Sequence, residues 1–456
     1  MLKLLKLDKK FITKVLVVAV PFMLQQLITS SVNLLDSVMV GQLGDAAVAG
    51  VAAANRFYMI ATFGIFGVTG AASIFIAQYF GKKDDEHVKQ SYRYSVLATY
   101  AIIAPFVILG LIMPRSIIGF FTKDADVIRS GAAYLQFAIL TYIPLGLSMA
   151  IGNAMRSVGE TKLPLYISIV AIATNAIFNY LLIFGTFGFP KWGVMGAAIA
   201  TLIARLVEMG IYMVVVRKKH FVFNTRYRDM LHISKKLVES ITIKALPLVT
   251  NEILWYGGIV TLFKFYSVKG TEVMAGLSIA STISDVFFVL MGGMAVATTV
   301  IVSQPLGANH LDEARSNGYN LLKVSFLLAL FFGVLMFISS FIFPQFYAIS
   351  ESSRVFATNI IRIQSVMFVI YMSNAQCYFI LRAGGDTKST LYMDAVFMWV
   401  VNIPVVGAAT YLTAWSVYGI YMLGQSTDLL KLVFAYGLVR KEKWVKNLTH
   451  AHEQLV

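Results

Sequence analysis

Charge is scarce in this sequence. Asp, Glu, Lys and Arg make up 13% of its 456 residues, about half the usual share of soluble domains. Apolar residues make up 58%, and mean hydropathy is +0.73. A soluble chain of this length would cover its surface with far more charge, so the solvent for most of it is lipid. Cysteine is nearly absent: Cys377 is alone in an apolar run, which excludes a disulfide framework and a cysteine-rich metal site. Histidine is missing from the apolar runs, all six lying in loops or the tail, so a histidine proton relay is excluded. No H-E-x-x-H, G-x-S-x-G or phosphate-binding Walker loop occurs, which argues against an enzyme and against nucleotide-driven work.

What is present is a series of long apolar runs. A helix needs roughly 20 apolar residues to cross a bilayer. Twelve candidates lie near 15–40, 47–80, 92–113, 131–154, 163–186, 193–216, 241–266, 273–302, 320–343, 357–381, 389–413 and 416–438. The leucine-interleaved basic start of the chain lacks a small-residue cleavage site and is expected to lie at the membrane interface. Of the 38 basic residues, 27 fall in or at the edges of the termini and the loops on their side, 8 in or at the edges of the opposite loops, and Arg56, Arg205 and Lys431 inside spans. This bias predicts both termini in the cytoplasm and a multi-pass protein of the plasma (inner) membrane. It also accounts for the net charge of +15 without nucleic acid. The largest basic stretch, 217–244, is expected to be a solvated cytoplasmic linker near anionic lipid.

The two halves align at one offset of 226 residues: Pro21 with Pro247, Gly44 with Gly270, Gln78 and Gly81 with Gln304 and Gly307, and Arg156, Gly159, Thr161 and Lys162 with Arg382, Gly385, Thr387 and Lys388. Six spans per repeat give both halves the same orientation, a parallel repeat. The expected fold is therefore all-α and membrane-integral. Twelve helices form two six-helix bundles around a central cleft, an N-lobe over 1–225 and a C-lobe over 226–456, with a linker at about 217–240.

Ionisable residues at bilayer depth are functional candidates by default. Gln25, Thr29, Asn33 and Asp36 share one face of the first span. That stripe suits an ion- or proton-linked site, or alternatively an interhelical hydrogen-bond seam. Asn175 and Asn179 are one turn apart in the fifth span, and Thr201, Arg205 and Glu208 share a face of the sixth, where the last two can simply pair. Amide oxygens, a hydroxyl and a carboxylate suit a small hard cation such as Na⁺, or a carboxylate that alternately binds and releases H⁺. In the second half Glu252 with Tyr256 one turn on, and Asp285 with Ser278 and Ser281 or Thr282, are candidates for a substrate or proton site, against a structural hydrogen bond. Asp394 is expected to be solvated near a span end, and Asp428 to pair with Lys431. Twenty methionines fit ordinary core filling and also suit a surface that accepts several ligands.

These residues together resemble the multidrug and toxic compound extrusion (MATE) family. The resemblance covers nearly the whole chain. It is carried by Pro21, VNLLDSVMVGQLG (32–44), QYFG (78–81), MRSVGETK (155–162), NYLLIFG (179–185) and GVMGAAIAT (193–201), and by the second-half copies QPLG (304–307) and LRAGGDTK (381–388). It implies two lobes of six spans and export of drug-like, often cationic compounds driven by inward Na⁺ or H⁺. No other cofactor is implied, and the partners are the bilayer and small organic substrates, with the chain a monomer. It implies a first-lobe cation site at Asp36, Asn175, Asn179 and Thr201, and a role for Glu252. Many members carry aspartate where Asn179 stands, and the span-10 aspartate of others is absent from Tyr371-Met372-Ser373-Asn374. The rival of similar fold is a lipid-linked oligosaccharide flippase, which needs free cations in its cleft to hold pyrophosphate.

Overall fold

The computed structural model describes residues 7–347 and 350–449. The expected interfacial start falls partly outside them, as do His450 and His452. The chain folds into helices joined by short turns. The first half runs α1 (Lys9–Gly41), α2 (Asp45–Lys82), α3 (Asp85–Ile112), a short α4 (Pro114–Phe121), α5 (Ala125–Ala138) continued through a 3₁₀ turn into α6 (Tyr142–Ser157), α7 (Lys162–Phe184) and α8 (Gly193–Lys218). The second half runs α9 (Lys235–Ser267), α10 (Thr271–Thr298) continued through a π-turn into α11 (Gln304–Gly307), α12 (Leu311–Ser339), α13 (Glu351–Ala383), α14 (Thr387–Leu391) continued through two π-turns into α15 (Ile403–Leu412), and α16 (Val417–Arg440).

The 226-residue repeat reappears in these bounds. α1 and α9 are both 33 residues long and begin at Lys9 and Lys235. α2 and α10 begin at Asp45 and Thr271, α3 and α12 at Asp85 and Leu311, α5 and α13 at Ala125 and Glu351. Turn chemistry explains the shared motifs. Gly159 and Gly385 adopt φ of 93° and 76°, a left-handed conformation that costs glycine nothing. The next residue, Glu160 or Asp386, accepts from the backbone N–H of Leu163 or Ser389 and so caps the helix that follows. The G-E-T-K and G-D-T-K signatures are thus a turn and a cap.

Eleven helical stretches among the described residues are long and apolar enough to cross a membrane. The twelfth long helix, α16, has 24 residues and carries Gln425, Asp428 and Lys431, which lower its hydropathy. The protein is an all-helical, multi-pass membrane protein.

Packing divides the chain into two compact units. One comprises Leu24–Val249, the other Thr250–Val456 with the stretch ending at Met23. Each division falls two residues after a proline inside a helix, Pro21 in α1 and Pro247 in α9. Proline removes one intrahelical hydrogen bond, so the helix is weakest there. The basic 217–244 stretch is not simply solvated. Buried Arg93 of α3 donates to Thr225 Oγ1 at 2.9 Å and to the His232 carbonyl at 2.8 Å, and Phe223 is fully buried beside Tyr92.

Candidate functional site

In the first unit, α1, α7 and α8 bring the sequence candidates together. Asn179 Nδ2 donates to Asp36 Oδ1 at 2.5 Å and to Asn175 Oδ1 at 3.1 Å. Asn175 Nδ2 donates to Thr201 Oγ1 at 3.2 Å, and Thr201 donates to the Ala197 carbonyl at 3.0 Å. Asn175 is better satisfied with its amide reversed, at the loss of the hydrogen bond from Asn179 Nδ2. Its nitrogen then donates to both Asp36 oxygens at 3.1 Å, and its oxygen accepts from Thr201. Either way the four side chains form one connected network. Asn175 and Asn179 are buried, Asp36 and Thr201 half-buried. Asn179 Oδ1 is buried and meets no donor among the described residues.

The rest of the α1 stripe is partly structural. Gln25 Nε2 donates to Ser168 Oγ at 2.6 Å, tying α1 to α7, and Thr29 donates to the Gln25 carbonyl. The side chain of Asn33 lies outside the described residues. Arg205 donates to Glu208 at 2.8 Å, as expected, and its charge also bears on Asp36. One helical turn beyond Asp36 and Asn179, and one turn before Thr201, stand Met39, Ile183 and Ala197. They form a buried apolar cluster with Val40, against which Tyr134 packs. The polar network is therefore sealed on one side by an apolar layer. Sequence reading missed Tyr134, which feels the Asp36 charge, and Tyr58, which feels that of Arg205, with Tyr142 behind it. Tyr58 and Tyr142 stack with ring centroids 4.2 Å apart, and the Tyr142 hydroxyl donates to the Tyr58 carbonyl. A tyrosine in a span needs a partner for its hydroxyl, which is the only signal that could have flagged them.

In the second unit the candidates are less gathered. Glu252 of α9 is half-buried, within electrostatic reach of Arg382 and Asp394. Asp285 of α10 is exposed on a face with Ser278 and Thr282, whose hydroxyls donate to their own helix. Among the described residues no hydrogen bond or ion pair joins Asp285 to Glu252. Two expectations are corrected. Asp394 is not solvated: its side chain is 17% exposed and pairs with Lys431 Nζ at 2.5 Å, while Asn251 Nδ2 donates to its other oxygen at 3.1 Å. Lys431 therefore goes to Asp394 across two helices, a partner that sequence proximity to Asp428 did not suggest. Arg56 is exposed, while Lys431 joins Arg205 as a cation within the helical packing.

A first-half oxygen set with one carboxylate, two amides and a hydroxyl can hold a small cation or a proton. It holds no group of three or more His, Cys, Asp or Glu suited to a transition metal, nor do the other described residues.

The sequence profile of the MatE family matches residues 21–181 and 247–406, stretches that begin 226 residues apart. A protein named probable multidrug resistance protein NorM, from Halalkalibacterium halodurans, is 25% identical over 427 residues, 92% of each chain. The probable multidrug resistance protein YoeA of Bacillus subtilis is 24% identical over 440 residues, 94% of each chain. Among solved structures, one described as the outward-facing conformation of a multidrug resistance MATE family transporter of the MOP superfamily superposes with a TM-score of 0.85. Identity is 16%, over 94% of this chain and 96% of that one, so the likeness speaks to the fold.

Proposed function

This chain belongs to the MatE family, and we propose that it is a secondary active exporter of drug-like, often cationic organic compounds. Export runs by antiport with H⁺ or Na⁺ through alternating access of two six-span lobes, in the plasma (inner) membrane with both termini in the cytoplasm. The observation that carries this reading is the Asp36–Asn179–Asn175–Thr201 network within a chain of this family.

The coupling ion is the network's substrate. Asp36 supplies the single negative charge that offsets one monovalent cation. An amide presents N–H to a bare carboxylate and, once reversed, C=O to a cation. Asn179 Oδ1 meets no donor among the described residues, so this amide oxygen is available to a cation beside Asp36. A proton needs no further ligands. Asparagine at 179 removes a charge that Na⁺ would use, so H⁺ is the favoured ion. Glu252 provides the anionic contact for cationic substrate.

The flippase alternative fares worse. It requires several cations free to hold pyrophosphate, yet Arg205 is engaged by Glu208 and Lys431 by Asp394, which leaves Arg56 alone of these three. Purified protein in vesicles decides between the readings. Efflux of a cationic dye should follow an imposed pH or Na⁺ gradient. Dye movement indifferent to both gradients would exclude the antiporter. Labelling of a cysteine placed at Asn224 from outside intact cells would overturn the orientation.

A further inference from the structure

The repeat allows the two lobes to be compared residue by residue. Gln25 and Ser168 correspond to Asn251 and Asp394, and both pairs are hydrogen-bonded, at 2.6 and 3.1 Å. Thr201 corresponds to Thr427, and Arg205 to Lys431. Asn402 donates to Thr427 Oγ1 at 2.6 Å as Asn175 does to Thr201, although it lies one residue beyond the 226 offset. One π-turn, Tyr392–Val396, is complete before it and takes up one extra residue, and Asn402 itself closes a second, Met398–Asn402. The second half thus retains the framework of the first-half ion site.

Its charges are redistributed. Leu262 stands at the position of Asp36 and Phe434 at that of Glu208. The second-half carboxylate instead occupies the position of Ser168, as Asp394. Both of its oxygens are engaged, one by Lys431 at 2.5 Å and the other by Asn251 at 3.1 Å. The Asn251 oxygen in turn accepts from the Ala395 N–H at 3.1 Å, which fixes α9 to the π-turn. The paired side chains are only 13% and 17% exposed. A lysine ammonium carries the same single charge as Na⁺ or H⁺. In the first half the basic residue is neutralised on its own helix by Glu208, which leaves Asp36 to a mobile ion. In the second half the basic residue reaches across to the carboxylate itself.

We propose that Lys431 is a positioning residue that acts as a tethered substitute for a coupling ion: it keeps Asp394 permanently occupied and confines ion coupling to the first lobe. This rests on the antiport reading above. The other charged groups bearing on the pair are Glu252 of α9, which feels Asp394, Arg382 of α13, which acts on Glu252, and Asp428 of α16, which acts on Lys431. None of them is within salt-bridge distance of Lys431 or Asp394, so the pair is the local charge balance. Removing the ammonium leaves Asp394 buried and uncompensated, and a mobile ion becomes the means of neutralising it.

The test uses the full chain in proteoliposomes, with ethidium as the transported probe and the initial rate measured against the concentration of the driving ion. The parent should show a single-site dependence. Lys431→Gln should lower the rate about tenfold or more at low ion and add a second, steeper ion-dependent component, because an uncompensated buried charge is strongly unfavourable. Lys431→Arg should restore the single-site form. Asp394→Asn combined with Lys431→Gln, a neutral hydrogen-bonding pair, should do so too, and it carries the test if Lys431→Gln alone fails to fold. A folded Lys431→Gln protein with the parent's ion dependence overturns the proposal, as does a double variant that keeps the second component or loses ion dependence. A parent with two ion-dependent components also overturns it while leaving the antiporter standing. Ethidium movement that no ion gradient drives overturns the antiporter and this proposal with it.

Discussion

Asp36 and Asp394 are both carboxylates held by amides within helical packing, yet they are set up for different work. Asp36 is hydrogen-bonded by Asn179, has no salt-bridge partner among the described residues, and sits beside an amide oxygen that has no donor. Asp394 has both oxygens filled, one of them by an ammonium. The difference teaches that equivalent positions of a sequence repeat need not make equivalent contacts. The repeat keeps the framework, and a carboxylate on the fifth span of a lobe rather than the first forms a fixed ion pair instead of an amide-held network. The neighbouring backbone differs in the same sense. α7 is a continuous α-helix past Asn175 and Asn179, while the corresponding second-half stretch is interrupted by two π-turns.

The sharpest way to break this comparison is to neutralise each carboxylate in turn. Asp36→Asn should reduce ion-driven efflux to the rate of vesicles without a gradient while melting like the parent, since asparagine can still hydrogen-bond to Asn179. Full ion-driven transport by a folded Asp36→Asn protein would remove the first-lobe site altogether. Asp394→Asn should have the opposite profile. It leaves Lys431 buried without its partner and should lower stability by about 3 kcal/mol or more, read as a fall in melting temperature. An unchanged melting temperature would mean that the pair is solvated and interchangeable with water.

A subtler test changes the first-lobe site without emptying it. Asn179→Asp adds a second carboxylate beside Asp36 and should raise apparent Na⁺ affinity by about tenfold, because ligand charge tunes affinity for hard cations. Efflux measured at fixed pH against Na⁺ reads this directly, and no gain would show that the network is built for protons alone. The smallest expected effect lies in the second lobe. Glu252→Gln should weaken export of cationic compounds several-fold while sparing neutral ones, by loss of a charge contact in a site of low dielectric. Equal export of both classes would make Glu252 a structural residue.

Much of this architecture was legible from patterning. Long apolar runs can only be helices in lipid, because every backbone polar group must be satisfied within the segment. The repeat was legible because turns need particular residues: Gly159 and Gly385 supply the left-handed backbone, and Glu160 and Asp386 the caps. The Asp36, Asn175, Asn179 and Thr201 grouping followed from helix periodicity together with the family resemblance. Spacing along one helix also sufficed for Arg205 with Glu208, three residues apart.

It did not suffice for Lys431. Asp428 is three residues away on the same helix, whereas the partner actually chosen, Asp394, is 37 residues away in sequence. Tyr134, which feels the Asp36 charge, could not be singled out for the same reason, since nothing local separates a core tyrosine from one beside a carboxylate. The sequence by itself determined the membrane-crossing segments, the turns that join the repeated motifs, the twofold repetition and the set of polar residues placed inside the spans. These follow from local periodicity and from the solvent each segment must face. Only the tertiary structure decided which of those polar residues meet, that Asp36 is left to amides and Asp394 is taken by Lys431. That choice depends on how helices distant in sequence pack and on where π-turns rotate their faces, and neither is encoded by spacing along any one helix.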